Sequence, residues 1–211
     1  MAKAPSKRTQ LKRLHKRGSY DRPSLDAILD ASMFCHVAYM RDEKPSITPT
    51  MHWRTGDHVY WHGSAASSAL RAQTSMDVSL CVTHIDGFVF ARSAINHSVN
   101  YRCAILYGEA HKVTDLDVKE AELKRMVDLI APGRWEDLRP MTSQELKATS
   151  VLSLSIDEAS AKVREGGPVD DLGDMEHPVW AGHQPMRMIR DTPIADPANL
   201  AGLDVPDYLK E

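Results

Sequence analysis

The sequence predicts a mainly β fold, a small antiparallel barrel carrying helical ornaments. Three observations carry this. Between Phe34 and His62 three alternating runs follow one another with only turn residues between them, which is a meander. A period near two returns over Val78–His84, Asn100–Val113 and Val151–Ile156. Clear helical spacing is confined to a few stretches, the longest being Asp117–Ile130. Six or seven strands with two or three helices fit a barrel better than a layered α/β fold.

In chain order, residues 1–22 are a basic arm in which eight Lys or Arg face one acid, Asp21. The arm reads as a solvated tail, helical from Thr9 to Lys16 with Leu11 and Leu14 touching the body, or as a contact for RNA or an anionic partner. Ser24 caps a short helix, Leu25–Ala31, that buries Leu25, Ile28 and Leu29. Phe34–Met40 is a strand, Asp42-Glu43-Lys44-Pro45 a turn, Ser46–Trp53 a strand, Thr55-Gly56-Asp57 a tight turn and His58–His62 a third strand. Ala65–Thr74 is a short helix. Val78–His84 is a strand, Asp86-Gly87 a hairpin signal and Phe88–Arg92 the returning strand. Ser93–Val99 is irregular, and Asn100–Val113 is a long strand that Gly108 bends. The helix Asp117–Ile130 has the stripe Leu116, Leu123, Met126, Val127 and Ile130, a solvated face including Lys119 and Glu122, and a stop at Pro132-Gly133. Thr142 and Glu145 form a capping box, and Val151–Ile156 is a half-exposed final strand. From Gly166 the chain is irregular and acidic, with an apolar island, Pro178–Gly182, whose Trp180 is expected to dock.

Composition narrows the function. The 211 residues are 42% hydrophobic and 26% charged, enough for one well-cored domain. A net charge of −3 disfavours a dedicated nucleic-acid binder. Cys35, Cys81 and Cys103 show no C-x-x-C spacing and read as buried thiols in a reducing cytoplasm. No apolar run reaches the ~20 residues of a membrane helix, and the N-terminus has no secretory core. The ten histidines contain no H-E-x-x-H or H-x-H; His58 and His62 share a strand face and His52 lies on the neighbouring strand, so no metal site is expected. No G-x-S-x-G or Ser-His-Asp grouping points to a nucleophilic hydrolase.

The stretch Tyr60-Trp61-His62-Gly63-Ser64-Ala65-Ala66-Ser67-Ser68-Ala69-Leu70-Arg71 is a strand end, a small-residue turn and a helix start. Unpartnered N–H groups at such a turn, hydroxyls of Ser64, Ser67 and Ser68, and the charge of Arg71 suit a phosphate. The alternative is an ordinary Ser-capped helix.

Several pieces then coincide: Arg17-Gly18-Ser19-Tyr20-Asp21, Ile28-Leu29-Asp30, Ile47-Thr48-Pro49-Thr50, Tyr60–Ser64, Asp86–Ser93, His97–Arg102 and Val179–Gly182. In this order, from Arg13 to Pro185, the chain resembles the pyridoxamine 5′-phosphate oxidase-like superfamily, nearest its flavin-nucleotide-binding branch with the nitroimidazole-resistance (Nim-type) reductases. The resemblance implies a split β-barrel over residues 23–165, flanked by the arm 1–22 and the irregular segment 166–211. It implies a homodimer with FMN at the subunit interface. The FMN phosphate would lie at His62, Gly63, Ser64, Ser67 and Ser68, with Arg71, Arg102 or the arm (Arg13, Arg17) meeting its charge. The ring would lie along Thr48, Thr50 and Met51, and Asn100, Tyr101, Arg102 and Trp180 would come from the partner subunit. Ser67 and Ser68 stand where classical pyridoxamine phosphate oxidases have Arg and Lys, and no Arg-x-His follows Trp180, which sets this chain apart from that reaction. The expected activity is a cytoplasmic FMN-dependent oxidoreductase passing electrons from NAD(P)H to a small electrophile, as nitroreductases do, with His97 donating a proton. The alternatives are a non-catalytic FMN carrier, a deazaflavin protein, a haem-binding relative with His62, His97 or His183 as axial ligand, and a flavinless RNA- or partner-binding protein.

Overall fold

The computed structural model describes residues 3–65 and 74–210. Its strands are β1 (Gly18–Ser19), β2 (Phe34–Arg41), β3 (Lys44–Thr55), β4 (His58–Ser64), β5 (Ser75–Phe90), β6 (Ser98–Lys112), β7 (Thr149–Ser155), β8 (Ala159–Arg164) and β9 (Gly182–Pro185). The helices are α1 (Arg22–Asp30), α2 (Leu116–Ile130) and α3 (Ser143–Ala148). Among the described residues the strands join in the order β1-β8-β6-β7-β4-β3-β2-β5-β9, every pairing is antiparallel, and β5 also pairs with β6, so the sheet closes into a barrel.

The expected meander is present. The β2–β3 turn is Asp42-Glu43, both with positive φ (49° and 59°), the mirror-image turn whose twist matches the strands. Inward side chains including Val37, Val59, Trp61, Leu80, Leu106 and Leu152 form the barrel core, and α1 adds Leu25, Ile28 and Leu29 to it. A second core lies outside the barrel, where α2 and α3 bury Trp53, Leu123, Leu146 and Val151. The α3 capping box forms as its sequence predicts, with Thr142 accepting from the Glu145 N–H.

Several expectations are corrected. Asp21, not Ser24, caps α1; its carboxylate accepts the Ser24 N–H at 3.0 Å, and Pro23 sits in the first turn. The arm is not helical from Thr9 to Lys16; only His15–Arg17 forms a 3₁₀ turn. The arm is strapped to the barrel: Thr9 is buried, Arg8 pairs with Glu158 and lies 5.0 Å above the Tyr107 ring, and β1 joins β8. Asp86-Gly87 is not a hairpin turn but a bulge inside β5, which runs unbroken against β6. The run Val151–Ile156 keeps its alternation, with Ser153 and Ser155 half-exposed and Val151, Leu152, Leu154 and Ile156 buried, but it is not the final strand. A tight turn leads from β7 into β8, and Ser150 and Ser160 are buried because both sheet faces are covered there. Lys119 and Glu122 are buried rather than solvated. Glu122 accepts hydrogen bonds from the Trp53 indole (2.9 Å) and the Thr55 hydroxyl (2.9 Å), fixing α2 to β3. Of the thiols only Cys35 is fully buried, and burial pushes it up to about 12; Cys81 and Cys103 are half-buried. The helix expected at Ala65–Thr74 lies almost wholly outside the described residues.

His52 sits inside the barrel with no exposure, its Nε2 hydrogen-bonded to the Leu29 carbonyl at 3.1 Å. Burial pushes its pKa down to about 4. The unfolded imidazole takes up a proton near 6.5 that folded His52 refuses, so this contribution is full above pH 6.5 and lost as pH falls towards 4. Denaturant unfolding of His52→Gln should show a stability-versus-pH slope shallower by about 1.4 kcal/mol per pH unit in that window; an unchanged slope would show that His52 is not held neutral.

Candidate functional site

The sequence-predicted residues gather in two places. The first is where the barrel splits. β3 and β4 are paired only from His52–Trp61 to Thr55–His58. Beyond His52, β3 stays with β2 (Thr50 opposite Cys35, Thr48 opposite Val37), whereas β4 stays with β7 (His62 opposite Val151, Ser64 opposite Thr149). Thr50 and Met51 therefore flank one side of the split, and His62, Gly63 and Ser64 the other. The Thr48 hydroxyl lies 3.2 Å from the Tyr39 hydroxyl. His62 is half-buried, 6.3 Å from the Trp53 ring, and its Nδ1 is buried without a hydrogen-bond partner. Burial pushes its pKa down, which favours the neutral imidazole. Ser67, Ser68 and Arg71 lie outside the described residues. Beneath the turn, the Lys119 ammonium donates to the carbonyls of Leu146 (3.2 Å) and Thr149 (3.1 Å). Sequence reasoning passed over Lys119, because nothing local distinguishes it from the other charges of α2.

The second place is the far end of β5 and β6. A cavity of about 810 Å³ opens there, bounded by Phe34 and His36 of β2, His84 and Asp86 of β5, Arg102 of β6, and Met186 and Met188 of the tail. Asp86 and Arg102 pair through both carboxylate oxygens at 2.9 and 2.8 Å. This hydrogen-bonded pairing holds the Asp86 carboxyl below the usual range and raises the Arg102 guanidinium. His84 is fixed by a 3.0 Å hydrogen bond between its Nε2 and the Ile28 carbonyl. A second cavity of about 320 Å³ shares Asp86 and Arg102 and adds Asn100, Arg164 and His183. Tyr101 is opposite Arg164 in the β6–β8 register.

The tail builds the outer wall. β9 adds to β5 from Gly87 to Phe90. A Cβ on Gly87, whose φ is 159°, would meet the Gln184 carbonyl oxygen at 2.5 Å, so only glycine admits this approach. Trp180 packs on Phe90 (5.9 Å between ring centroids) but remains 69% exposed, so it docks on one face only. His97 lies edge-on to Phe90 at 6.1 Å with its Nδ1 on the Ser93 carbonyl, and it lines neither cavity. Thr48, Thr50, Met51 and the His62–Ser64 turn line neither cavity either. Among the described residues no helix is long and apolar enough to cross a membrane.

The pyridoxamine 5′-phosphate oxidase family model matches residues 21–163. No curated protein matches the chain. Among solved structures, the flavocytochrome Anf3 from Azotobacter vinelandii is 45% identical with a TM-score of 0.94, over 99% of this chain and 97% of that one. A FAD and haem binding protein from Mycobacterium smegmatis is 36% identical with a TM-score of 0.86, over 91% of this chain and 95% of that one. A 5-nitroimidazole antibiotic resistance protein from Bacteroides thetaiotaomicron shares the fold at 15% identity, with a TM-score of 0.56 over 69% of this chain and 86% of that one.

Because β9 rests on a missing side chain, Gly87→Ala should weaken tail docking by about 2 kcal/mol and speed tryptic cleavage at Arg187 and Arg190. Unchanged cleavage would mean that β9 does not seal against Gly87.

Proposed function

This chain belongs to the pyridoxamine 5′-phosphate oxidase family, and from that premise we propose that it is a homodimeric redox protein holding a flavin and a haem. The observation that carries the reading is the pair of neighbouring cavities that share Asp86 and Arg102 in their walls. Relatives that cover the chain almost end to end support it, one a flavocytochrome and the other a FAD and haem binding protein.

The larger cavity has the size of a cofactor site. Phe34, Met186 and Met188 offer apolar walls for a ring, Arg102 lines the same cavity, and a smaller cavity lies across the Asp86–Arg102 pair. Two neighbouring cavities suit a dinucleotide, so FAD is the proposed flavin in place of the FMN expected from the sequence. A haem would be held at the barrel split, with His62 binding its iron. An iron ligand must be a neutral imidazole with a free nitrogen, and the buried, unpartnered Nδ1 of His62 supplies that. A phosphate would instead want an N–H donor there. When bound, the flavin accepts or gives an electron pair and the haem iron single electrons. The protein positions them: Asp86 locks Arg102 beside the flavin cavity, and the tail shields it from water. NAD(P)H is the proposed electron donor and a small electrophile the acceptor.

The second copy covers the outer sheet face. Phe34, Met40, Ile47 and Ile85 stand on that face, and each is more than half exposed, Ile47 at 64%. Such a patch is large for a monomer surface.

Protein reconstituted with FAD and haemin and then desalted should keep bands near ~450 nm and ~400 nm, and anaerobic NADPH should bleach the flavin. Loss of both bands would sink the proposal, and retention of FMN in preference to FAD would return the flavin to FMN. His62→Ala should lose the ~400 nm band and keep the flavin band; an intact band would remove His62 as ligand. Ile47→Glu should sediment as a monomer where the native chain is a dimer, and an unchanged dimer would place the interface elsewhere.

A further inference from the structure

We propose that the smaller cavity is an oxyanion site built on Arg164, a residue to which the flavin and haem reading assigns no separate role. Arg164 is only 6% exposed, yet no carboxylate pairs with it among the described residues. Its Nη1 donates to the Asn100 side-chain oxygen and to the Gly166 carbonyl (3.0 Å), and Nη2 donates to the Gly167 carbonyl (2.9 Å). These partners are neutral dipoles, and the buried Nε has no partner among the described residues. A guanidinium has five donors, so Nε and one Nη2 hydrogen remain unused. A buried cation without a counter-charge is strongly disfavoured unless an anion reaches it. Burial and the nearby Arg17 both act against its charge.

The surroundings supply no such charge from the protein. Of the acids that line the cavity, Asp86 has both oxygens on Arg102, and Glu165 is exposed. His183 and the Asp86-paired Arg102 line the same cavity. Beside Asp86 and the exposed Glu165, this cavity of about 320 Å³ is lined by the Arg164 guanidinium, which no carboxylate meets among the described residues, an amide and an imidazole, a set that suits a phosphate, diphosphate or carboxylate. Because this cavity shares Asp86 and Arg102 with the larger one, the anion could arrive as the diphosphate of a flavin dinucleotide or as a separate anionic substrate. Only that choice of source rests on the flavin reading.

The test uses pyrophosphate as probe on the full chain, by calorimetric titration and thermal unfolding against chloride at matched ionic strength. The native protein should bind it saturably and unfold at a higher temperature. Asn100→Asp places a carboxylate beside Arg164. Without added anion it should unfold at a higher temperature than the native chain, and it should bind pyrophosphate at least about tenfold more weakly. No saturable binding to the native protein would overturn the proposal, whether or not the variant folds. Equal binding by a folded Asn100→Asp variant would overturn it too. Preloading with FAD or with riboflavin identifies the source. Blocking by FAD alone assigns the site to the cofactor diphosphate, and binding that survives both assigns it to a substrate anion. If no flavin is retained, the pyrophosphate titrations still decide the site, so the two readings fail separately.

Discussion

The architecture depends on one strand serving three partners. β6 gives one edge to β5 along almost its whole length. Its other edge pairs with β8 from Tyr101 to Leu106 and with β7 only at His111 and Lys112. Between those stretches lies Gly108, φ 153°, where an added Cβ would approach the Leu154 side chain to 3.1 Å, so glycine leaves room for Leu154 where the edge passes from β8 to β7. Sharing the edge closes the barrel through β7 and β4 while β8 carries the arm outward. The closure is bought with incomplete pairing elsewhere. β4 follows β7 and leaves β3 beyond His52, and the split that results is where Thr50, Met51 and His62 face one another.

The parts of this fold legible in the sequence are those where one face is wet. The meander from Phe34 to Ser64, α2 and the α3 capping box all follow from period and turn chemistry. The parts that were not legible are buried on both faces or paired at long range. β8 reads Ala-Ser-Ala, with no alternation to see, because small residues are needed where β6 passes on one side and other elements cover both faces. β9 and the strap of the arm draw their order from strands far away in sequence, which no local period reports. Asp86-Gly87 misled for a related reason. The dipeptide suits a hairpin, but here the glycine serves a close approach of β9 and the aspartate serves Arg102.

The candidate site was legible as a set of residues and not as a geometry. Sequence order named Thr48 and His62 from one subunit and Asn100 and Arg102 from its partner; within one chain the first two flank the split and the last two lie at the β5–β6 end. The residues that sequence reasoning missed are charges whose meaning is set by burial. Glu122, Lys119 and Arg164 look like ordinary surface charges until the packing is known. Glu122 and Lys119 are satisfied by an indole, a hydroxyl and carbonyls, and so hold α2 against the barrel. Arg164 also has neutral acceptors, the Asn100 side-chain oxygen and the Gly166 and Gly167 carbonyls, but its buried Nε is left without one among the described residues.

The Asp86–Arg102 pair ties these features together. It stands between the two cavities and belongs to both. With both carboxylate oxygens engaged, Asp86 neutralises Arg102 and keeps its guanidinium from reaching into either cavity as a free charge. Arg164 is the more buried of the two guanidiniums and has no carboxylate partner among the described residues, so in the oxyanion reading proposed above it is the charge that draws the anion. Asp86 can hold this position only because β5 bulges between Ile85 and Gly87, and the bulge is sealed only because Gly87 lets β9 lie against it. A backbone requirement at one glycine therefore shapes the tail, the cavity wall and the placement of charge at once, and the tail becomes part of the site even though its sequence shows no regular pattern.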